Sequence, residues 1–293
     1  MSILGIDAVV FGVADMGEAA RFCRDWGLHE VTPTLFTTRD GGEVIIRHRD
    51  DPALPPAIEP GNTVREVVWG LAPGAAPRAP LRDPNGLALS FRPSRRGKVV
   101  AEATPANAPG TPRRIDARSP IHRQAHPIKL GHIVLFAGDF AAMRAFYLDE
   151  IGLTLSDEYP GHGAFLRCQT PGEHHNLFIL NRPGKPGVNH VAFTLTDIHE
   201  VIGGGIAMAQ KGWKTEIGPG RHPISSAYFW YFENPLGAPV EYYADDDWCT
   251  EAWVPQQFTR APELFAEWAI AGGIDGTTRR QVVAVDSSGR GHP

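Results

Sequence analysis

Residues 130–153 read LGHIVLFAGDFAAMRAFYLDEIGL, and they repeat the order of features in residues 4–28, LGIDAVVFGVADMGEAARFCRDWGL. Each stretch runs from an apolar strand through an aspartate into a helix-like segment and ends in Gly-Leu. Each half also closes on a turn that leads into a strand, DPNGLALSFRP at 83–93 and NPLGAPVEYYAD at 234–245. Such repetition indicates a duplicated unit. The sequence therefore predicts an α+β fold of two tandem modules, each built from paired βαβββ units that form a curved, partly open mixed sheet.

The composition between the repeats indicates a linker. Residues 96–127 are rich in Pro, Ala and Arg and lack sustained apolar periodicity. We expect residues 1–95 to form an N-terminal module and residues 128–246 to form a C-terminal module. Residues 247–293 are predicted to form a tail that is partly helical and then disordered.

The overall composition excludes several classes of protein. With 42% hydrophobic and 21% charged residues the chain is neither disordered nor fibrous, and a net charge of -5 without basic clusters argues against nucleic acid as a partner. The sequence contains neither a signal-peptide pattern nor an apolar run long enough for a bilayer, so we expect no membrane association. The three cysteines, Cys23, Cys168 and Cys249, suggest free thiols in a reducing compartment. A cytoplasmic protein is therefore predicted.

Three predicted strands carry an ionisable residue where the period-two pattern of a strand expects core. These residues are His132 in LGHIVLF, His190 in VNHVAF and Glu241 in PVEYYA. Burying one such group is costly, and burying three requires a common partner. Two neutral imidazoles and one carboxylate can share a divalent metal and leave one face of the ion open. This ligand set is the facial triad associated with non-heme Fe(II).

The combination of the three residues carries this prediction, because a single strand histidine is usually a hydrogen-bonded core residue. In the first half we expect the corresponding positions to be Asp7, Glu66 and Ser90, which include no histidine. Residues 1–95 are therefore predicted to keep the frame of the fold without a metal site, and residues 128–246 are predicted to be the catalytic module, whose sheet encloses the metal site.

The closing motif of the second half is the most specific part of the sequence. Residues 220–243 read GRHPISSAYFWYFENPLGAPVEYY. Together with LGHIVLF and NHVAFTL, this motif resembles the type I extradiol ring-cleaving (catechol) dioxygenases of the vicinal oxygen chelate superfamily, which includes the glyoxalases and bleomycin resistance proteins. The resemblance covers residues 1–260. It implies that His132, His190 and Glu241 bind Fe(II), for which Mn(II) is a possible replacement.

The same resemblance implies three catalytic residues near the metal. His175 in EHHNLFIL lies fifteen residues before His190 and would be the acid/base, with a pKa near neutrality. His222 and Tyr231 of the closing motif would donate hydrogen bonds to the substrate. His174 is adjacent to the acid/base position, and we expect strand alternation to let only one of the pair face the site. The side chain of Trp230 should face away from that of Tyr231.

The implied reaction inserts both atoms of O2 into a catechol and cleaves the ring beside the diol to a semialdehyde or keto acid. The partners would be a small aromatic diol and O2, and the protein would be a homo-oligomer. No organic cofactor is expected, because the glycine run at 203–205 lacks the strand-turn-helix context of a nucleotide loop. Two alternatives remain on the same fold: a metal-dependent, glyoxalase- or epimerase-like isomerase, and a non-enzymatic sequestering (resistance) protein.

Overall fold

The first half of the chain forms one mixed sheet with a helix on its face. The computed structural model describes residues 3–261 and 264–271. The strands of this half are β1 (Ile3–Val13), β2 (His29–Thr32), β3 (Leu35–Thr37), β4 (Glu43–His48), β5 (Thr63–Leu71), β6 (Leu81–Arg82) and β7 (Ala88–Pro93), and its helix is α1 (Met16–Asp25). The strand order in space is β2-β3-β4-β1-β5-β7-β6.

The second half forms a larger mixed sheet. Its strands are β8 (Lys129–Ala137), β9 (Thr154–Tyr159), β10 (Gly163–Arg167), β11 (Gly172–Glu173), β12 (Leu177–Asn181), β13 (Gly187–Thr194), β14 (Thr215–Arg221), β15 (Tyr228–Phe232), β16 (Val240–Ala244), β17 (Trp248–Cys249), β18 (Gln256–Gln257) and β19 (Trp268–Ala271). Its helices are α2 (Phe140–Ala145), which continues into a π-helical turn (Phe146–Glu150), and α3 (Ile198–Gln210). Ten strands join in the order β18-β9-β10-β12-β8-β13-β16-β15-β14-β19, and β11 pairs separately with β17.

The two sheets repeat one topology, which confirms the predicted fold class. In each half the first strand pairs on one side with the last strand of the first βαβββ unit and on the other side with the first strand of the second unit. The order β4-β1-β5 in the first half therefore corresponds to β12-β8-β13 in the second. One unit departs from the repeat: residues 72–80, APGAAPRAP, connect β5 to β6 without a helix, where the second half has α3. Three prolines within nine residues prevent a helix there.

Two helices of the second half begin at a capping aspartate. The side chain of Asp139 accepts a hydrogen bond from the backbone N–H of Ala142, and that of Asp197 accepts one from the backbone N–H of Glu200. These contacts satisfy donors that the first turn of a helix leaves free. Within the described part of the chain, no helix combines the length and apolar character that crossing a bilayer would require.

The segment between the sheets packs onto α3. Ala125 is buried against Gly204, where a Cβ atom would lie 2.5 Å from the Cβ of Ala125. At Gly205 a Cβ atom would lie 2.0 Å from the indole of Trp230. The glycine run therefore allows the connecting segment and β15 to approach the helix closely, which is a packing role.

A continuous core joins the two halves. The rings of Trp26 and Tyr242 stack with centroids 3.5 Å apart, and the hydroxyl of Tyr242 donates to the carbonyl of Trp26 at 2.7 Å. The hydroxyl of Tyr147 also donates across the boundary, to Asp83 at 3.0 Å. Because Tyr242 follows Glu241 directly in β16, this contact helps to fix the strand that presents the predicted metal ligand.

In residues 247–261 and 264–271 the chain forms the short strands β17, β18 and β19. The predicted helical part of the tail stays a prediction, since residues 262–263 and 272–293 lie outside the described residues. Strand β18 pairs with β9 and β19 pairs with β14. These partners offer unpaired backbone groups at the sheet edges, and the tail strands satisfy them. The end predicted to be disordered lies outside the described residues.

Candidate metal centre

His132, His190 and Glu241 converge on one point, as the sequence predicted. The Nε2 atoms of His132 and His190 lie 3.2 Å apart. The Oε2 atom of Glu241 lies 3.0 Å from Nε2 of His132 and 3.2 Å from Nε2 of His190. All three residues are buried, with Glu241 only 1% exposed. Three donor atoms of three side chains therefore form a nearly equilateral triangle.

Neighbouring strands produce this convergence. The register pairs Ala192 of β13 with His132 of β8 on one side and with Glu241 of β16 on the other. Tyr231 of β15 then lies opposite Glu241. Residues opposite one another across a ladder project from the same face of the sheet. The small, fully buried Ala192 leaves room in the middle of this row for the longer side chains on either side to meet.

The triangle fits a divalent cation. Neighbouring ligands of a six-coordinate ion at metal–ligand distances of about 2.1 Å lie about 3 Å apart, which matches the observed separations. Nδ1–H of His190 donates to Oδ1 of Asn189 at 2.6 Å, so its Nε2 atom carries the lone pair that a metal requires. The Oε2 atom of Glu241 is buried without a hydrogen bond of its own. A bound cation would satisfy this atom.

The electrostatics favour the protonation states of metal ligands. Burial lowers the pKa of His132 below its ordinary value. Burial alone would raise the pKa of Glu241, but the surrounding imidazoles, His132 first, outweigh it and hold that pKa well below the ordinary range. A neutral imidazole and an ionised carboxylate are the forms that bind a metal.

The corresponding positions of the first half hold no such site. The register pairs Val68 with Ala8 and Ser90, in the same way that it pairs Ala192 with His132 and Glu241. Ala8 therefore occupies the position of His132, and the predicted equivalence of Asp7 is wrong by one residue. The reason is a register shift between Ile6 and Ala8, which a sequence alignment without strand pairing does not show.

Asp7 has a structural role instead. It is fully buried, accepts a hydrogen bond from the Ser94 hydroxyl at 2.6 Å and pairs with Arg92 at 3.1 Å. Glu66 contacts the hydroxyl of Ser90. Among the described residues, the groups of His, Cys, Asp and Glu spaced closely enough to hold a metal all lie in the second half.

His175 lies beside the triad, where the sequence predicted the acid/base. Its ring centroid is 4.2 Å from that of His132, and it is 6% exposed. Burial lowers the pKa of His175 well below its ordinary value, with smaller contributions from His132 and His174. The expectation of a pKa near neutrality therefore differs from the structure, because the ring is enclosed. His175 is neutral and able to accept a proton.

His174 is also buried and faces away from the triad. Its Nδ1 atom lies 3.2 Å from Nδ1 of His175, and its Nε2 atom lies 2.9 Å from Oδ2 of Asp157. The two histidines lie in the connection between β11 and β12, so strand alternation alone does not decide their orientation. Sequence reasoning missed Asp157, since an aspartate in TLSDEY reads as solvent-facing.

His222 and Tyr231 form a hydrogen-bonded pair at the other side of the triad. The Nδ1–H of His222 donates to the carbonyl of Phe265 at 2.6 Å, because a carbonyl can only accept. In the neutral ring Nε2 then carries the lone pair and accepts the hydroxyl hydrogen of Tyr231 at 3.1 Å. Nε2 of His222 also lies 3.6 Å from Oε1 of Glu241. As predicted, Trp230 faces the opposite way, and its indole N–H donates to Thr215.

A cavity of about 210 Å³ opens beside the triad. It is lined by Asn189, His190, Glu216, Ile217, Tyr231, Pro239 and Phe265. Glu216 is the lining carboxylate outside the triad, and burial raises its pKa above the ordinary value. The lining contains no arginine or lysine among the described residues. The predicted metal ligand His190 and the predicted hydrogen-bond donor Tyr231 therefore share one small, partly apolar space.

Several known proteins are similar to this chain. Residues 129–242 match the family model of the Glyoxalase/Bleomycin resistance protein/Dioxygenase superfamily. Metapyrocatechase 2 of Cupriavidus necator is 32% identical over 190 residues, 64% of this chain and 58% of that protein. Biphenyl-2,3-diol 1,2-dioxygenase 3 of Rhodococcus globerulus is 27% identical over 127 residues, 40% of this chain and 64% of that protein. The matches thus span less than two thirds of either relative.

Solved structures show the same fold over nearly the whole chain. The Mn(II)-bound glyoxalase from Novosphingobium aromaticivorans superposes with a TM-score of 0.71 at 24% identity, covering 93% of both chains. The 2,3-dioxygenase LapB from Pseudomonas sp. KL28 superposes with a TM-score of 0.67 at 17% identity, covering 88% of this chain and 98% of that one. The predicted two-module fold is therefore confirmed.

Proposed function

We propose that this chain, whose residues 129–242 match the family model of the Glyoxalase/Bleomycin resistance protein/Dioxygenase superfamily, is an extradiol dioxygenase. It would insert both atoms of O2 into a catechol and cleave the ring beside the diol. The observation that carries the proposal is the convergence of His132, His190 and Glu241 at 3.0–3.2 Å, with three further polar side chains around the same point.

The three ligands come from one side of the site, which suits a two-substrate reaction. Fe(II), or alternatively Mn(II), would supply a Lewis-acid centre with open positions for a diol and for O2. The protein would hold that ion through the two Nε2 atoms and Oε2 of Glu241. The apolar lining residues Ile217 and Phe265 would exclude water from the face where the ring lies.

His175 would move the proton of the reaction. Because burial lowers its pKa, the neutral ring can accept a proton from a catechol hydroxyl, and its conjugate acid returns that proton readily. His222 and Tyr231 would stabilise charge that develops on the substrate oxygens. Because Nδ1–H of His222 is committed to Phe265, its Nε2 atom could donate to an anionic oxygen only in the imidazolium form.

The cavity favours a small catechol without negative charge on its substituent. Its volume of about 210 Å³ lies below the ~300–1,000 Å³ typical of pockets for drug-sized ligands, which argues for a single ring with a short substituent. A carboxylate on that substituent would approach Glu216, and the described lining offers no cationic side chain to compensate. Uncharged or cationic substituents should therefore be preferred.

The test is anaerobic reconstitution of the full chain with Fe(II), followed by air and a panel of single-ring catechols. We expect the yellow absorbance of a ring-opened product and consumption of one O2 per catechol. Metal binding without product from any catechol would contradict the proposal and favour the glyoxalase- or epimerase-like isomerase. Failure to bind metal would favour the sequestering protein. Parallel reconstitution with Mn(II) would show which ion supports turnover.

Two further expectations belong with this proposal. A cytoplasmic location agrees with the three cysteines, which are buried and free in the structure. Assembly into a homo-oligomer is proposed from the family resemblance, and size-exclusion chromatography with light scattering would test it.

A further inference from the structure

A buried chain of polar groups leads away from the candidate site behind His175. Oδ2 of Asp157 lies 2.9 Å from Nε2 of His174, and Nδ1 of His174 lies 3.2 Å from Nδ1 of His175. His174 is fully buried and Asp157 is 3% exposed. Buried polar groups of this kind must satisfy one another, since water does not reach them.

The positions of the hydrogens follow from the acceptor at the far end. An ionised Asp157 can only accept, so Nε2 of His174 must carry a hydrogen. In the neutral ring Nδ1 of His174 then holds the lone pair and accepts from Nδ1–H of His175. This leaves the lone pair of His175 on Nε2. The ring of His175 is meanwhile held over His132 at 4.2 Å and edge-to-face against Phe165 at 5.2 Å.

The tail of the chain fixes Asp157 from the other side. The backbone N–H of Gln256 donates to Oδ1 of Asp157 at 2.7 Å, so both carboxylate oxygens are engaged. The indole N–H of Trp253 donates to the carbonyl of Ser156 at 2.9 Å, and the ring lies 5.7 Å from that of His174. Residues 253–256 therefore cover Asp157 and His174 and restrict rotation of the Asp157 carboxylate.

We propose that Asp157 and His174 are positioning residues, which hold His175 in the Nδ1–H tautomer so that Nε2 is free to accept the substrate proton. The proposal rests on the proposed function, in which His175 is the acid/base. A competing assignment comes from the spacing of His174, His175 and Asp246, which would also suit a second metal. A second metal bound by the two Nδ1 atoms would require a lone pair on each of them. The contact with Asp157 fixes the hydrogen on Nε2 of His174 and is compatible with both assignments.

The substitution Asp157→Asn tests the hydrogen-bonded relay of Asp157, His174 and His175 without changing the size of the side chain at position 157. The amide has one oxygen, and if this oxygen keeps the hydrogen bond from Gln256, the NH2 group faces Nε2 of His174. His174 must then carry its hydrogen on Nδ1, and His175 must move its own hydrogen to Nε2. The lone pair needed for proton transfer is lost, while the metal ligands are untouched. We expect kcat to fall about 100-fold or more.

The readouts separate positioning from folding. Asp157→Asn should retain stoichiometric metal and a KM within about threefold of wild type, because a positioning role affects kcat. Glu233→Gln is the matched control, since Glu233 lies on the surface and pairs with Lys214 away from Asp157 and His174. Full activity of Asp157→Asn would overturn the proposal. His175→Phe separates failure of the proposed function from failure of the positioning role. A fully active His175→Phe variant would overturn the proposed function. An inactive His175→Phe variant beside a fully active Asp157→Asn variant would overturn only the positioning role of Asp157 and His174.

A measurement on the wild-type chain keeps the test independent of any variant. NMR of the full chain, labelled with 15N-histidine and loaded with diamagnetic Zn(II), reports which ring nitrogen bears hydrogen. We expect Nε2–H for His174 and Nδ1–H for His175. The opposite tautomers would overturn the proposal, and so would two bound metals per chain of which Asp246→Asn loses one.

Discussion

Replacing Glu241 by glutamine is the most direct perturbation of the candidate metal centre. The substitution keeps the volume of a side chain that is 1% exposed, but it removes the only negative charge of the triangle formed with His132 and His190. The carboxylate is ionised in the folded protein, because the surrounding histidines hold its pKa well below the ordinary range. A neutral amide oxygen is a poorer ligand for a divalent cation.

The expected loss can be expressed as a change in thermal stability. Removing a group that only supports a metal ligand costs about 10–100-fold in metal affinity, so removing a charged ligand should cost at least about 100-fold. At a free metal concentration about 100 times the wild-type Kd, binding stabilises the wild type by about 2.7 kcal/mol. The same concentration would equal the Kd of the variant, and binding would contribute only about 0.4 kcal/mol. At about 2–3 °C per kcal/mol for a chain of this size, the metal-induced shift in Tm falls from about 5–8 °C to about 1 °C.

The assay compares each protein with itself, with and without metal. Differential scanning fluorimetry of the metal-free chain, titrated with Mn(II) alone, gives the shift in Tm, and elemental analysis gives the bound metal. Glu233→Gln is the matched control, because Glu233 lies on the surface and pairs with Lys214 outside the site. A Glu241→Gln variant that keeps both the wild-type shift and stoichiometric metal would refute the assignment of Glu241 as a ligand.

Two further predictions concern the cavity and the packing behind the site. Glu216→Gln should raise kcat/KM for carboxylate-bearing catechols relative to uncharged ones by about two- to fivefold, because it removes a like charge from the cavity. Steady-state kinetics on matched substrates would check this ratio. An unchanged ratio would mean that the substituent lies away from Glu216. Trp26→Ala should lower the free energy of unfolding by about 3–5 kcal/mol in urea denaturation, since it removes a fully buried ring stacked on Tyr242. A loss below about 1 kcal/mol would mean that the halves do not depend on this contact.

The residues that local pattern could predict share a simple property. His132, His190 and Glu241 lie in strands whose apolar neighbours fix the direction of each side chain, so an ionisable residue on the core face is visible from alternation alone. The helix caps at Asp139 and Asp197 were equally readable, because a cap is a local arrangement within three residues.

What the sequence missed depends on distant pairing. Asp157 looks solvent-facing in its own strand, and its role depends on His174 and on the tail residue Gln256, 99 positions away. The tail strands β18 and β19 were not visible locally either, because the edges of β9 and β14 that they join are set by the whole sheet. The shift from Asp7 to Ala8 likewise arises from a ladder irregularity, which single-sequence reasoning does not contain.

The comparison of the two halves suggests why only one of them carries a site. In the first half Asp7 is buried, and Arg92 and Ser94 compensate its charge within the protein. In the second half the Oε2 atom of Glu241 is buried without a hydrogen bond, although two imidazole nitrogens lie within 3.2 Å of it. A buried carboxylate left in this state costs stability unless a cation completes it. The same frame therefore supports a self-sufficient ion pair in one half and, in the other, a buried carboxylate oxygen that a bound metal would satisfy.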